Sequence, residues 1–184
     1  MKETAFLRLA SARRSIRAFQ DRPVEREKLE LCLEAARLAP SACNAQPWKF
    51  VVVDEPGLKQ RLAAAVFSGA YAINKHAASA PVLVAVVSQR GSAWAWVGNQ
   101  VQGTVFLLVD IGISCEHFVL QAAELGLGTC WLGWFDAKAA ARLLGVPRGF
   151  RVEMLLSLGY PAEAPGPRPR RSLAEMSAFN RYGP

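Results

Sequence analysis

Between residues 25 and 38 the apolar side chains Leu29, Cys32, Leu33 and Ala36 recur at three- and four-residue intervals. This spacing predicts an amphipathic helix, Glu25–Leu38, with one face turned inward. A shorter helix is expected before it, over residues 3–13. Residues 39–47 carry two prolines, an Asn and a Ser and predict a loop. Trp48–Val53 is a short β-branched run, expected as a buried strand. Asp54 and Pro56 open a helix reaching about Val66, in keeping with proline near a helix start. Pro81–Ser88 is apolar and predicts a further strand. Residues 89–103 hold three Gly and two Trp, Trp94 and Trp96, without periodicity, and read as a mobile or substrate-covering loop.

Asp110–Leu125 is apolar nearly all round, so it predicts a helix buried on more than one side. Gly126 and Gly128 end it, and Cys130–Phe135 is the strand that follows. Asp136 caps a helix through Leu144 that Gly145 and Pro147 close. Phe150–Gly159 is the last strand. From Tyr160 onward Pro161, Pro165, Pro167 and Pro169 exclude regular structure, leaving an extended arm. Helices and strands alternate loosely, which points to an α/β or α+β sheet with helices around it. We expect one domain, residues 1–184, with residues 160–184 as its arm.

Composition narrows the class. At 184 residues with 52% hydrophobic and 20% charged residues, the chain is core-forming. Its apolar content is slightly high for a monomer and hints at a buried subunit interface. The net charge of +7 suits nucleic acid, an anionic cofactor or an acidic small molecule. Its clearest clusters are two short ones, Arg13/Arg14/Arg17 and Arg168/Arg170/Arg171, with no long lysine stripe and no nucleic-acid-binding motif. Cys32, Cys43, Cys115 and Cys130 form no C-x-x-C pair, and Met1–Arg14 lacks the features of a signal peptide, so free thiols in the cytoplasm are expected. Val101–Phe135 is apolar enough to suggest a membrane span. Asp110, Glu116, His117, Gln121 and Glu124 interrupt it, which favours a buried helix followed by a strand.

With two histidines and few partners at ligand spacing, no metal site is expected. There is no G-x-S-x-G elbow, no Walker loop and no G-x-G-x-x-G after a strand. Redox work by this chain would therefore need a cofactor. The run Arg13-Arg14-Ser15-Ile16-Arg17 sets three guanidinium groups and a hydroxyl within five residues, an array suited to a phosphate and a second electron-rich group. If extended, it projects Arg13, Ser15 and Arg17 to one side and Arg14 to the other.

This run, the stretch Ala39-Pro40-Ser41-Ala42-Cys43-Asn44-Ala45-Gln46-Pro47-Trp48, the strand Gly128-Thr129-Cys130-Trp131-Leu132-Gly133-Trp134-Phe135-Asp136 and the sequence Leu158-Gly159-Tyr160-Pro161 together resemble the nitroreductase family of FMN-dependent oxidoreductases. The resemblance covers nearly the whole chain. It implies an α+β fold with a central, mainly antiparallel sheet surrounded by helices, and a C-terminal arm exchanged in a homodimer. It implies FMN at the dimer interface and NAD(P)H as reductant. Arg13, Arg14 and Ser15 would hold the phosphate side, together with Arg168 and Arg170 of the arm, Arg171 being a possible substitute. Arg17 would approach the flavin ring and stabilise negative charge that collects there on reduction. Pro40, Ser41 and Asn44 would contact the flavin of the partner subunit, with Gln46 and Trp48 securing the loop. Backbone groups near Leu132 and Gly133 would meet the ring edge, where a glycine lets a backbone N–H come close.

Arg17 and Gly133 are thus the expected catalytic positions. The acceptors implied are nitroaromatics and quinones, taken in a ping-pong cycle. Three other readings stand beside this one: a flavin-storing dimer without turnover, a flavin-consuming or dehalogenating member of the same fold, and a basic nucleic-acid-associated protein.

Overall fold

A computed structural model describes residues 3–89 and 105–183. The loop expected over 89–103, with Trp94 and Trp96, lies outside the described residues except for Gln89. In chain order the elements are helix α1 (Ala5–Ala12), α2 (Arg26–Arg37), strand β1 (Trp48–Val53), α3 (Pro56–Val66), a 3₁₀ stretch (Gly69–Ser79), β2 (Val82–Ser88), α4 (Phe106–Glu124), β3 (Gly128–Leu132), α5 (Ala137–Leu143), β4 (Arg151–Gly159) and a single turn, α6 (Leu173–Met176). The strands form one sheet in the order β1-β2-β4-β3, antiparallel at every pairing.

The sheet is the middle of three layers. Alternate residues of β2 face opposite ways, as pleating requires. Leu83, Ala85 and Val87 join Leu62, Val66 and Phe67 on the α3/α5 side. Val82, Val84 and Val86 join Leu29, Cys32, Ile111, Phe118 and Val119 on the α2/α4 side. A strand covered on both faces must be apolar at every position, which is why Pro81–Ser88 has no polar alternation. Helix α4 buries Ile111, Ser114, Cys115, Phe118, Val119 and Ala122, one stripe at helical spacing. By length and composition alone it could cross a membrane, yet its stripe is part of the core shared with α2 and the sheet.

Four expectations need correction. The third strand ends at Leu132, not Phe135: the chain turns at Gly133, and Phe135 is buried from the turn. The arm is not wholly irregular, because Ser172 and Glu175 form a reciprocal capping box that nucleates α6 despite the nearby prolines. The first strand sits at the sheet edge, so Lys49 is exposed and its neighbours are only half-buried. Helix α4 starts at Phe106, before the expected Asp110, and this added first turn leaves Leu108 and Val109 each 50% exposed.

Candidate active site

The arginine run leaves α1 and lies along the free edge of β3. Ser15 bridges to Thr129 in parallel, and the Ile16 amide donates to the Thr129 carbonyl at 2.9 Å. Ile16 packs so closely over Gly128 that a Cβ there would stand 2.6 Å from Ile16 Cγ1. Beyond it, Phe19 bridges to Pro161, and the Ala162 amide donates to the Ala18 carbonyl at 2.9 Å. The segment is thus held between the sheet edge and the first residues of the arm. Glu163 adds a clasp, its carboxylate accepting from the backbone amides of Arg17 and Ala18. The Arg17 amide bond is the main cause that holds the Glu163 carboxyl below its ordinary value.

The two arginine clusters, more than 150 residues apart in sequence, meet. Arg168 Nη2 donates to the Ala10 carbonyl at the end of α1 at 3.2 Å. Its guanidinium is pushed below its ordinary value, first by burial and then by the cations of Arg13, Arg170 and Arg14, with Glu116 opposing them. Arg13 Nε lies 3.7 Å from Glu116 Oε1, and its side chain is only 13% exposed. Arg168 thus feels three other guanidinium groups, and together these cations outnumber the nearby carboxylates Glu116 and Glu163. Such an excess of forked donors suits a phosphate dianion, which supplies both the missing charge and several acceptors. Arg13, Arg14, Ile16, Gly128 and Glu163 line a cleft of about 350 Å³ beside this cluster.

At the other end of β3, Leu132 is buried and Gly133 is exposed. A Cβ on Gly133 would have no other atom within 4 Å, so open space adjoins its backbone. Trp134 follows, 59% exposed yet held. Its Nε1 donates to the Ala70 carbonyl at 3.0 Å, its own carbonyl accepts from Asn74 Nδ2 at 2.8 Å, and its ring sits 5.5 Å from that of Tyr71.

The Pro40–Trp48 loop is built differently from an ordinary turn. Cys43, Asn44 and Gln46 all adopt positive φ, at 51°, 51° and 44°, a region that L-residues other than Asn rarely occupy. Side chains hold the shape: Ser41 Oγ accepts from the Gln46 amide at 2.9 Å, and Gln46 Nε2 donates to the Asn44 carbonyl and to Asn44 Oδ1. Buried Asp110 of α4 accepts from the Ala42 amide at 3.0 Å. Pro40 and Asn44 are exposed. Among the described residues no hydrogen bond or ion pair joins this loop to the arginine cluster of the same chain.

Sequence reasoning missed Glu163, Asp110, Asn74 and the exposed Trp134–Tyr71 pair. Glu163 and Asp110 act only through distant backbone amides, which no local pattern reveals. Trp134 was visible as a large aromatic next to a glycine.

The sequence model of the nitroreductase family matches residues 10–160. An NADH dehydrogenase of Thermus thermophilus is 31% identical over 91% of this chain and 92% of its own length. Iodotyrosine deiodinase 1 of Rattus norvegicus is 26% identical over 88% of this chain and 64% of that protein. Among solved structures, an FMN-dependent nitroreductase of Clostridium difficile superposes with a TM-score of 0.75 at 29% identity, over 95% of this chain and 98% of that one. The fold is that of nitroreductases, and this chain is an oxidoreductase that belongs to the nitroreductase family.

Proposed function

We propose that the protein binds FMN along the edge of β3 and uses NAD(P)H to reduce electron-poor acceptors, nitroaromatics and quinones among them, as a homodimer in the cytoplasm. The observation that carries this reading is the convergence of Arg13, Arg14 and Arg170 on Arg168, with only Glu116 and Glu163 as nearby carboxylates, at the opposite end of β3 from the open backbone at Gly133. From Thr129 to Gly133 a strand rises roughly 13 Å. A ligand with a phosphate at one end and a flat ring at the other fits that arrangement. The donor set therefore suits FMN.

Bound FMN would supply the hydride and two-electron chemistry between the nicotinamide and the acceptor. The chain's own residues bind and orient. Arg13, Arg14, Arg168 and Arg170 neutralise the phosphate, with Ser15 beside them. Arg17, whose backbone amide Glu163 holds, would supply a cation to the ring. Leu132 and Gly133 present backbone where no side chain intervenes. Pro40, Ser41 and Asn44, rigid in their strained loop, complete the partner subunit's site. Each chain acts as one domain, with residues 160–184 as an arm reaching the partner. Donor and acceptor take the same open place in turn, a ping-pong order. The likeness to a deiodinase makes reductive dehalogenation the second reading; halide release from an iodophenol under anaerobic NAD(P)H separates the two.

The test is the visible spectrum of the purified protein before and after anaerobic NAD(P)H. A flavin spectrum that bleaches is the expected result. Flavin that stays oxidised points to a storage protein, and a colourless chain that takes up no FMN removes the reading.

A further inference from the structure

Beyond Gly133 a cavity of about 700 Å³ opens, lined by Tyr71, Trp134, Lys138, Phe150 and Arg151 among others. Trp134 is conspicuous there. A tryptophan that leaves 59% of its surface in solvent gains little from burial. Yet the indole N–H, the backbone carbonyl and the ring face are each tied down, to Ala70, Asn74 and Tyr71. The side chain has given up its rotamer freedom without being buried, which is the condition of a preorganised binding surface. The tilted Tyr71–Trp134 pair makes an aromatic corner that accepts a flat ring by stacking.

The charges in the cavity are unequal in availability. Asp136 Oδ1 is committed to the Ala139 amide as the cap of α5. Arg151 Nε lies 3.4 Å from Glu153 Oε2. Lys138 is exposed and has no ion-pair or hydrogen-bond partner among the described residues. It is the cation free to meet an anion.

Resting on the oxidoreductase reading above, we propose that the Trp134–Tyr71 corner and Lys138 form the acceptor subsite and select flat aromatic acceptors bearing an acidic substituent. The ring stacks at the corner beside Gly133, and the carboxylate or sulfonate turns toward Lys138. Trp134 fixes how far the ring reaches and Lys138 sets the preference for charge.

The experiment titrates 4-nitrobenzoate and neutral nitrobenzene into the FMN-loaded protein by calorimetry, for the native chain and for Trp134→Phe, Trp134→Ala and Lys138→Gln. Bound flavin and its bleaching by NADH are recorded separately in every sample. The native protein is expected to favour nitrobenzoate, with that preference shrinking as salt is raised. Lys138→Gln should lower the nitrobenzoate-over-nitrobenzene ratio by about threefold to fivefold, the range of a partly exposed ion pair. Trp134→Ala should weaken both ligands by roughly fivefold, and Trp134→Phe should recover most of that loss by restoring a ring. A ratio unmoved by Lys138→Gln, or affinities unmoved by Trp134→Ala, overturns the proposal even where flavin binds and bleaches normally. Absent or unbleached flavin in the native protein counts instead against the oxidoreductase reading, and calorimetry on the same samples still decides the subsite.

Discussion

Gly128 and Gly133 stand at the two ends of β3, and the same substitution is expected to act differently at each. At Gly128 a methyl group would meet Ile16 Cγ1 at 2.6 Å and Ile16 Cβ at 2.8 Å, the root of a side chain that cannot swing aside. Gly128→Ala must push the arginine segment off the sheet edge. It should cost about 1–3 kcal/mol, seen as a lower urea midpoint, together with weaker FMN binding. Gly133→Ala meets nothing in the chain; its midpoint should stay within about 0.5 kcal/mol of native while cofactor affinity falls. Equal loss of stability in both would refute the assignment of open space to Gly133. Among the cations, Arg168→Ala should lower FMN affinity about tenfold, while Arg171→Ala, which removes no hydrogen bond or ion pair among the described residues, should leave it unchanged. Arg17→Ala should retain FMN and slow its reduction, and stopped-flow bleaching by NADH reads that rate. The arginines and the Pro40–Trp48 loop could be singled out from the sequence because their residue types and order are themselves the signal. Glu163 and Asp110 were not, since a carboxylate that serves a remote amide looks like any surface acid.

Elements were legible where periodicity and punctuation agreed. Helix α5 shows this: Asp136 accepts from the Ala139 amide at its start, and Gly145 with φ of 64° closes it. They were misread where one rule hid another, as with α6, whose Ser172–Glu175 capping box was masked by the surrounding prolines. The contact that ties the start of α2 to the end of β4 shows what pattern alone misses. The Tyr160 hydroxyl donates to Glu25 Oε2 at 2.6 Å and accepts from Lys28 Nζ at 2.7 Å, while the Arg22 guanidinium lies 3.8 Å over the ring. The Tyr160 hydrogen bond is the leading cause that lowers the Glu25 carboxyl from 4.5 to about 2. A depressed folded-state value means the contact stabilises fully above the ordinary carboxylate range and is lost as pH falls from about 4.5 toward 2. Glu25→Gln should therefore reduce stability at pH 6 and narrow its fall between pH 6 and pH 3. Parallel urea midpoints at the two values measure this, and parallel pH slopes in native and variant would assign the acid sensitivity elsewhere.

At the scale of the molecule, several large apolar side chains among the described residues stand exposed. Leu31 and Leu38 of α2 and its end are 50% and 64% exposed, Leu108 and Val109 of α4 are each 50%, and Phe179 in the arm is 90%. The high apolar fraction anticipated such a surface, but only the structure locates it. It places Leu108 and Val109 next to Asp110, the residue that anchors the Pro40–Trp48 loop. Under the proposed dimer, that neighbourhood would link assembly to the cofactor. If α4 of one chain meets a second copy, the loop it carries is brought toward the partner subunit, which accounts for a strained loop that makes no polar contact with its own arginines. The native protein should sediment at twice 20.0 kDa. The double substitution Leu108→Glu with Val109→Glu puts two charges into an apolar contact and should yield single chains. Those chains should stay folded by circular dichroism, because neither side chain belongs to the core, yet lose FMN in proportion to their dissociation. A native protein that sediments as one chain and holds FMN would separate cofactor binding from assembly. A dissociated variant that holds FMN as tightly as native would remove the loop from the partner's site.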